Sequence, residues 1–452
     1  MKKIRSAFFC QNCGHSSPKW LGKCPSCDAW NSFVEEEIRD TQAGTGREAA
    51  YGGGPQPLDA IEAEDGERLS TGIAEMDRVL GGGLVAGSAV LVGGDPGIGK
   101  STLLLQVLEK IAARGSRVLY VTGEESARQI RLRGKRVGAV SSSLLVLVEI
   151  GLDNILRHIQ EVRPAAVVVD SIQTVYSPVL SSAPGSVGQV REASERLILL
   201  SKKTGIPLFL VGHVTKDGSI AGPRVLEHMV DTVLYFEGDS SYAYRVIRGI
   251  KNRFGPTNEI GVFEMRDSGL AEVTNPSEAF LAERPLEAAG SVVVPSVEGT
   301  RPILVEIQAL VSPTSFGMPR RTAIGVDPNR VSLLVAVLDK IGGIHLGSSD
   351  IFVNVTGGLR VAEPAVDLGI VSALASSFLE RPVESGTVVF GEVGLTGEIR
   401  GIAQTDVRIR EAARMGFRRC ILPKTRETRK RSRGDLEIHA VSHLRELLEH
   451  LF

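Results

Sequence analysis

Eight consecutive residues match the phosphate-binding pattern G-x-x-x-x-G-K-S/T, in which glycines let the backbone approach an anion and the lysine supplies a mobile positive charge. We expect Lys100 to reach the terminal phosphates and the hydroxyl of Ser101 to bind Mg²⁺. The matching residues, with the threonine that follows them, are Gly94, Asp95, Pro96, Gly97, Ile98, Gly99, Lys100, Ser101 and Thr102. The pattern predicts a binding site for a nucleoside triphosphate.

A strand and a helix are predicted on either side of this loop. Residues 88–92 form a short apolar run typical of a buried strand, and leucines recur at helical spacing in residues 101–112. Backbone N–H groups at the start of such a helix can surround the phosphates. The alternative is a glycine-rich turn that matches the pattern by chance.

Acidic residues follow two further apolar runs, where a nucleotide site of this kind needs them. Residues 117–122 lead into Glu124 and Glu125, and residues 165–169 end on Asp170. We expect Asp170 to hold the Mg²⁺ shell and one of the glutamates to orient or deprotonate the attacking water. An acidic residue after a strand can also be an ordinary solvated turn residue.

The nucleotide motifs lie in an alternating series of predicted strands and helices. This alternation extends to about residue 275 and predicts an α/β, doubly wound domain. One of its strands, residues 207–211, is followed by His213, which is placed to sense the terminal phosphate of the nucleotide. A purely structural role for this histidine explains its position equally well.

Four of the five cysteines form two C-x-x-C pairs near the N-terminus, separated by ten residues. The spacing suits one tetrahedral Zn²⁺ ion held by four thiolates, without which so small a segment has too little apolar surface to fold. Two disulfides are the competing interpretation, but nothing in the sequence indicates secretion. The predicted ligands are Cys10, Cys13, Cys24 and Cys27.

Length and composition predict several domains in a cytoplasmic protein. The chain has 452 residues and a formal net charge of -1, so it exceeds one compact core and offers no global field that attracts nucleic acid. No apolar run has membrane-spanning length, and the N-terminus lacks the apolar segment of a signal peptide. We expect a zinc ribbon in residues 1–34, a flexible linker in 35–66, the α/β domain in 67–275 and an α+β domain in 276–452.

The combination of motifs resembles the bacterial RadA (Sms) family over essentially the whole chain. It consists of the four-cysteine ribbon, the loop GGDPGIGKST, the phrase YVTGEES, the segment KNRFG and a protease-like C-terminal domain. The resemblance implies a RecA-like P-loop ATPase core that assembles as a homo-hexamer, uses ATP, binds single-stranded DNA and branched recombination intermediates, and promotes branch migration. It also implies RecA recombinase and a replicative helicase as protein partners.

The resemblance implies functions for several basic residues of the chain. In a ring ATPase the nucleotide lies between subunits, so cations of one protomer can stabilise charge on the neighbour's phosphates, as an arginine finger does. The cations of KNRFG are candidates for this role or for contact with the DNA backbone. The alternative is that they belong to a solvated basic turn without a function. The segment comprises Lys251, Asn252, Arg253, Phe254 and Gly255. Loops that resemble RecA-like channel loops make Lys216 and Arg224 candidate DNA contacts.

The C-terminal domain resembles the proteolytic domain of Lon, a serine-lysine peptidase. Alignment places Asp367 at the position of the serine and Arg408 at that of the lysine. A carboxylate is a poor nucleophile toward an amide, and a guanidinium stays protonated, so we expect no peptidase activity. We expect the two side chains to form a partly buried, structural ion pair. Basic residues 424–433 are either a solvated face or a DNA patch.

Three classes of function fit parts of this sequence. A DNA-dependent ATPase motor accounts for every module. An ATP-switched signalling ring of the KaiC kind leaves the zinc ribbon unexplained, and an ATP-dependent protease lacks its catalytic dyad.

Overall fold

The computed structural model describes residues 5–11, 14–38, 57, 68–212, 225–238, 243–314, 317–425 and 436–452. These residues form two compact units, Met1–Glu272 and Val273–Phe452. Among the helices within these ranges, none is long and apolar enough to cross a membrane.

The N-terminal ribbon is a small antiparallel sheet with the strand order β2-β1-β3. Its strands are β1 (Arg5–Cys10), β2 (Ser16–Ser17) and β3 (Phe33–Ile38). Strand β3 pairs with β1 from Phe33 to Ile38, so the sheet continues into residues that the sequence assigned to the linker.

The core of the first unit is a nine-stranded sheet in the order β12-β11-β10-β9-β4-β8-β7-β5-β6. Strands β4 to β9 pair in parallel, and β10 to β12 add an antiparallel meander at one edge. The strands are β4 (Ala89–Gly93), β5 (Val118–Thr122), β6 (Leu144–Val148), β7 (Val167–Asp170), β8 (Leu208–Val211), β9 (Thr232–Glu237), β10 (Tyr244–Asn252), β11 (Ile260–Arg266) and β12 (Gly269–Glu272).

Helices cover both faces of this sheet, because its central strands are apolar on both sides. Helices α1 to α3 pack with one buried cluster that includes Leu104 and Phe209. Helices α4 to α6 pack with a second cluster that includes Leu91 and Val169. The helices are α1 (Ala74–Leu80), α2 (Lys100–Ala112), α3 (Ala127–Val137), α4 (Leu152–Val162), α5 (Val187–Thr204) and α6 (Val225–Met229). The predicted α/β doubly wound core is confirmed.

The second unit is an α+β fold around a mixed seven-stranded sheet in the order β15-β16-β14-β13-β17-β20-β21. Its helices are α7 (Pro276–Leu281), α8 (Pro328–Lys340), α9 (Asp367–Leu379), α10 (Thr405–Arg414) and α11 (Leu444–Leu451). Its strands, with the separate β18-β19 pair, are β13 (Ser291–Glu298), β14 (Arg301–Pro313), β15 (Arg321–Ile324), β16 (Ser349–Val355), β17 (Thr387–Val389), β18 (Glu392–Val393), β19 (Ile399–Arg400), β20 (Arg419–Pro423) and β21 (Glu437–Val441).

Candidate functional site

The phosphate loop joins the end of β4 to the start of α2. Gly94, Gly97 and Gly99 have φ angles of 144°, 78° and 118°, in the region that side chains rarely adopt. A Cβ atom at Gly94 would lie 2.7 Å from the Cβ of Phe236. A side chain would strain the backbone at all three positions, and at Gly94 it would also clash with Phe236. The loop follows β4 at the carboxyl edge of the parallel strands.

Lys100 is the first residue of α2 and is buried, with 4% of its surface exposed. Its Nζ donates hydrogen bonds to the carbonyl oxygens of Gly94, at 2.6 Å, and Asp95, at 2.8 Å. Burial lowers the pKa of Lys100, and the carboxylates of Asp170, Asp95 and Glu124 oppose that shift. The ammonium group thus lies inside the loop, and three carboxylates are near enough to stabilise its positive charge.

The remaining loop residues differ in burial. Ile98 is buried and belongs to the apolar cluster beneath the loop. Asp95, Pro96 and Gly97 are exposed, and the first helical turn holds Ser101 and Thr102 half-buried. Ile98 therefore anchors the loop from below while its tip remains open to solvent.

Asp170 ends β7 and is buried, with 4% of its surface exposed. The hydroxyl of Tyr120 donates a hydrogen bond to its Oδ2. Its Oδ1 is buried without a hydrogen-bond partner among the residues that the structure describes. A buried carboxylate oxygen of this kind fits a hard cation or a water bound to one, so Asp170 and the Ser101 hydroxyl are a donor set that suits Mg²⁺.

The tandem glutamates have different partners. The Ser171 hydroxyl, beside Asp170, donates to the exposed Glu124. The Glu125 carboxylate is half-buried and accepts a hydrogen bond from Nη1 of Arg133. Thr122 of β5 pairs with Asp170 of β7, so the two strands end level with each other. Glu124 therefore lies near Asp170 and Lys100. Glu125 instead pairs with an arginine of α3.

Two polar residues beneath Asp170 were missed by sequence reasoning. Tyr120 is fully buried in β5, and its hydroxyl accepts a hydrogen bond from Nη2 of Arg133 at 2.9 Å. Burial, and next the Asp170 carboxylate, raise the pKa of Tyr120, so its hydroxyl stays protonated and can donate. The signal in the sequence is a lone tyrosine among the aliphatic residues of β5.

Three of the four predicted zinc ligands lie together, and Cys13 lies outside the described residues. The sulfur atoms of Cys10, Cys24 and Cys27 are within 4.8 Å of one another. The Sγ atoms of Cys10 and Cys27 are 3.7 Å apart, beyond the length of a disulfide bond. Such clustered sulfurs suit a tetrahedral zinc site.

KNRFG begins with the last two residues of β10, Lys251 and Asn252, and its cations have partners within the same chain. The Nζ of Lys251 donates to the carbonyl oxygens of Glu227, at 2.7 Å, and Val230, at 2.8 Å. Burial and the neighbouring Arg253 lower the pKa of Lys251. The Nη1 of Arg253 lies 3.1 Å from Oδ1 of Asp231, although 52% of the Arg253 side chain is exposed. The guanidinium of Arg253 is thus oriented by Asp231, and about half of the arginine side chain is open to solvent.

This segment lies at the amino edge of the sheet, opposite the phosphate loop. Asn252 pairs with Thr232, the first residue of β9, and Asp231 accepts a hydrogen bond from the N–H of Ala89, where β4 begins. The five residues of β4 span about 13 Å at ~3.3 Å per residue. Arg253 is therefore separated from its own phosphate loop by the length of a strand.

The predicted ion pair between Asp367 and Arg408 is wrong. Asp367 pairs with Arg330, whose Nε is 2.9 Å from Oδ1. Arg408 pairs with Glu363 through bonds of 2.7 and 2.5 Å, and also donates to the carbonyl oxygen of Pro295 at 2.6 Å. Each residue has a partner of opposite charge from another element, so neither needs the other.

Several predicted residues lie outside the described ranges. They are His213, Lys216, Arg224, nearly all of the predicted linker after residue 38, and most of the basic run 424–433.

Three family models match separate parts of the chain. The model described as an AAA domain matches residues 55–219. The model described as a rubredoxin metal binding domain matches residues 8–35. The model described as subunit ChlI of Mg-chelatase matches residues 313–426. The first two contain the phosphate loop and the clustered cysteines, respectively.

Curated relatives match nearly the whole chain. DNA repair protein RadA of Bacillus subtilis is 55% identical over 94% of this chain and 93% of its own length. DNA repair protein RadA of Listeria monocytogenes is 50% identical over 99% of this chain and 98% of its own. A solved KaiC-like protein of Pyrococcus horikoshii is 22% identical, with a TM-score of 0.39, and covers 46% of this chain and 98% of its own.

Proposed function

The chain belongs to the bacterial RadA family of DNA repair proteins, and on that basis we propose that it is a DNA-dependent ATPase that works as a homo-hexameric ring on single-stranded DNA. In this proposal, ATP turnover drives branch migration of recombination intermediates. The family and the three-part fold of zinc ribbon, RecA-like core and Lon-like domain were predicted from the sequence and are confirmed.

The proposal depends most on the groups that converge at the carboxyl edge of the sheet. Lys100 and the loop amides would bind the phosphates, and Ser101 and Asp170 would hold Mg²⁺. The metal, when bound, neutralises charge on the phosphates. Glu124, which lies beside Asp170, would accept the proton of the attacking water.

The position of KNRFG supports action between subunits. Arg253 lies at the opposite edge of the sheet from its own phosphate loop, so it would reach phosphates only on a neighbouring protomer. A ring with nucleotide at each subunit boundary provides that neighbour. Contact between Arg253 and the DNA backbone is the alternative for the same side chain.

ATP turnover by the full-length chain, measured with and without single-stranded DNA, tests the proposal. We expect DNA to stimulate turnover and a labelled three-strand junction to migrate only when ATP is supplied. Lys100→Ala removes the cation at the phosphates and should lower turnover by at least roughly 100-fold. An ATP turnover rate that does not change when single-stranded DNA is added would favour a signalling ring of the KaiC kind and would count against the proposal.

The other proposed properties follow from the family. The C-terminal domain would serve assembly or DNA binding and not peptide hydrolysis, since Asp367 and Arg408 are each bound in a separate ion pair. Casein should remain uncut. RecA recombinase and a replicative helicase are the proposed protein partners, and the cytoplasm is the proposed location. Co-purification of either protein with the intact chain, but not with a chain lacking residues 1–38, would assign it to the ribbon.

A further inference from the structure

We propose that Tyr120, Arg133 and Glu125 form a positioning network for Asp170, in which Tyr120 fixes one carboxylate oxygen so that the other faces the metal ion of the nucleotide. This inference rests on the proposed function, because it takes Asp170 as the residue that holds Mg²⁺. It also separates the tandem glutamates, since Glu125 would act through an arginine while Glu124 stays beside the phosphate loop.

The strand register brings Tyr120 to Asp170. Tyr120 pairs with Val168 of β7, and Asp170 lies two residues further along on the same face of the sheet. The tyrosine side chain therefore reaches diagonally to the carboxylate, and its hydroxyl donates to Oδ2. Because the same hydroxyl accepts from Arg133, its single proton is directed to Asp170.

Arg133 is fixed from two sides. Its Nη2 bonds to the Tyr120 hydroxyl and its Nη1 to the Glu125 carboxylate, while its guanidinium carbon lies 5.8 Å from the Tyr120 ring centroid. The start of α3 is set by a capping box between Ser126 and Gln129, immediately after Glu125. Arg133 is half-buried, with 14% of its side chain exposed, so most of the guanidinium's surroundings are protein.

The two oxygens of Asp170 have different surroundings as a result. Oδ2 receives the hydrogen bond from Tyr120, and Oδ1 has no partner among the described residues. A carboxylate held at one oxygen cannot rotate freely, so the unpartnered oxygen keeps its direction. Groups that orient a metal ligand in this way typically change metal affinity by roughly 10- to 100-fold when they are removed.

The test measures Mn²⁺ binding to the full-length chain saturated with ADP, using the electron paramagnetic resonance signal of the free ion. Tyr120→Phe keeps the ring and removes the hydroxyl, and we expect it to weaken Mn²⁺ binding roughly 10-fold or more. Glu125→Gln should weaken it less, in the same direction. Tyr176→Phe is the matched control and should leave it unchanged, because Tyr176 is held through its backbone by Ile150 and Leu152.

Thermal unfolding of each variant separates positioning from stability. If Tyr120→Phe melts earlier but binds Mn²⁺ as the parent does, the network is structural only and the inference is overturned. If Tyr120→Phe does not fold, unchanged Mn²⁺ affinity in Glu125→Gln overturns it instead. Asp170→Asn tests the premise separately: Mn²⁺ affinity equal to that of the parent in this variant would reject the metal role of Asp170, and with it the proposed site.

Discussion

Arg408 and Glu363 form a bidentate ion pair in the C-terminal unit, with Nη1 and Nη2 of the arginine 2.7 and 2.5 Å from the two carboxylate oxygens. Arg408 is 3% exposed and also bonds to the carbonyl oxygen of Pro295. Arg408, aligned from the sequence with the catalytic lysine of Lon, is therefore a structural cation in this fold.

Arg408→Ala should strongly destabilise this unit. Removal of the arginine leaves the Glu363 carboxylate and the Pro295 carbonyl without their buried partner, a loss of about 3 to 5 kcal/mol in the free energy of unfolding. Chemical denaturation of the full-length protein, followed at the C-terminal unit, measures this loss. Arg400→Ala is a matched control, because Arg400 pairs with Glu398 at the exposed surface and its removal should change stability little.

A double variant distinguishes the ion pair from simple loss of packing. Arg408→Met removes the charge but keeps a long side chain, and adding Glu363→Gln removes the second charge, so the double variant should recover part of the stability lost in Arg408→Met alone. If the double variant were no more stable than Arg408→Met alone, the loss would come from packing and not from the unpaired carboxylate.

Glu124→Gln and Glu125→Gln should affect turnover in different ways. Glu124 lies beside Asp170 through Ser171, so its loss should lower turnover by roughly 10²- to 10⁴-fold while ATP binding persists. Glu125 is engaged by Arg133, so Glu125→Gln should retain more activity and respond to added Mg²⁺. Single-turnover kinetics with labelled ATP provide the measurement. Equal and complete inactivation of both variants would contradict this division.

Mixed assemblies test whether Arg253 acts across a subunit boundary. Arg253→Ala and Lys100→Ala proteins should each be inactive, and their mixture should recover part of the turnover at boundaries that combine an intact loop with an intact arginine. Arg266→Ala, mixed in the same way, is the control, because Arg266 is exposed and pairs with Glu264 at the end of β11. No recovery, despite co-assembly verified by mass, would favour DNA contact.

Loss of a zinc ligand should affect the ribbon alone. Cys27→Ser should release one equivalent of Zn²⁺ and unfold the small sheet of β1 to β3, because that sheet buries little apolar surface of its own. The ATPase core keeps its own two clusters and should retain ATP binding. Metal analysis measures the release of Zn²⁺, and hydrogen exchange shows whether only the ribbon unfolds.

Ser32→Ala is the control for that experiment. The Ser32 hydroxyl lies 3.1 Å from Sγ of Cys10 but is not a predicted ligand. The variant should keep its zinc. An intact parent chain that contains no zinc would reject the site as a whole.

Features that depend on short-range constraints could be predicted from the sequence. The phosphate loop needs glycines with positive φ between a buried strand and a helix, and both elements lie beside it in the structure. The alternation of apolar runs and helical stretches likewise predicted the doubly wound core. Each of these features follows from neighbouring residues, because backbone conformation and local periodicity are set over a few positions.

Which distant side chains meet depends on the three-dimensional fold. Tyr120 bonds to Asp170, 50 positions away, because β5 lies next to β7 in the sheet. Glu363 reaches Arg408 across 45 positions, which is why the expected pair with Asp367 does not form. Strand order and helix packing bring such residues together, and a buried charge takes whichever opposite charge the fold brings closest. That choice depends on long-range packing, and one sequence does not encode it in any local pattern.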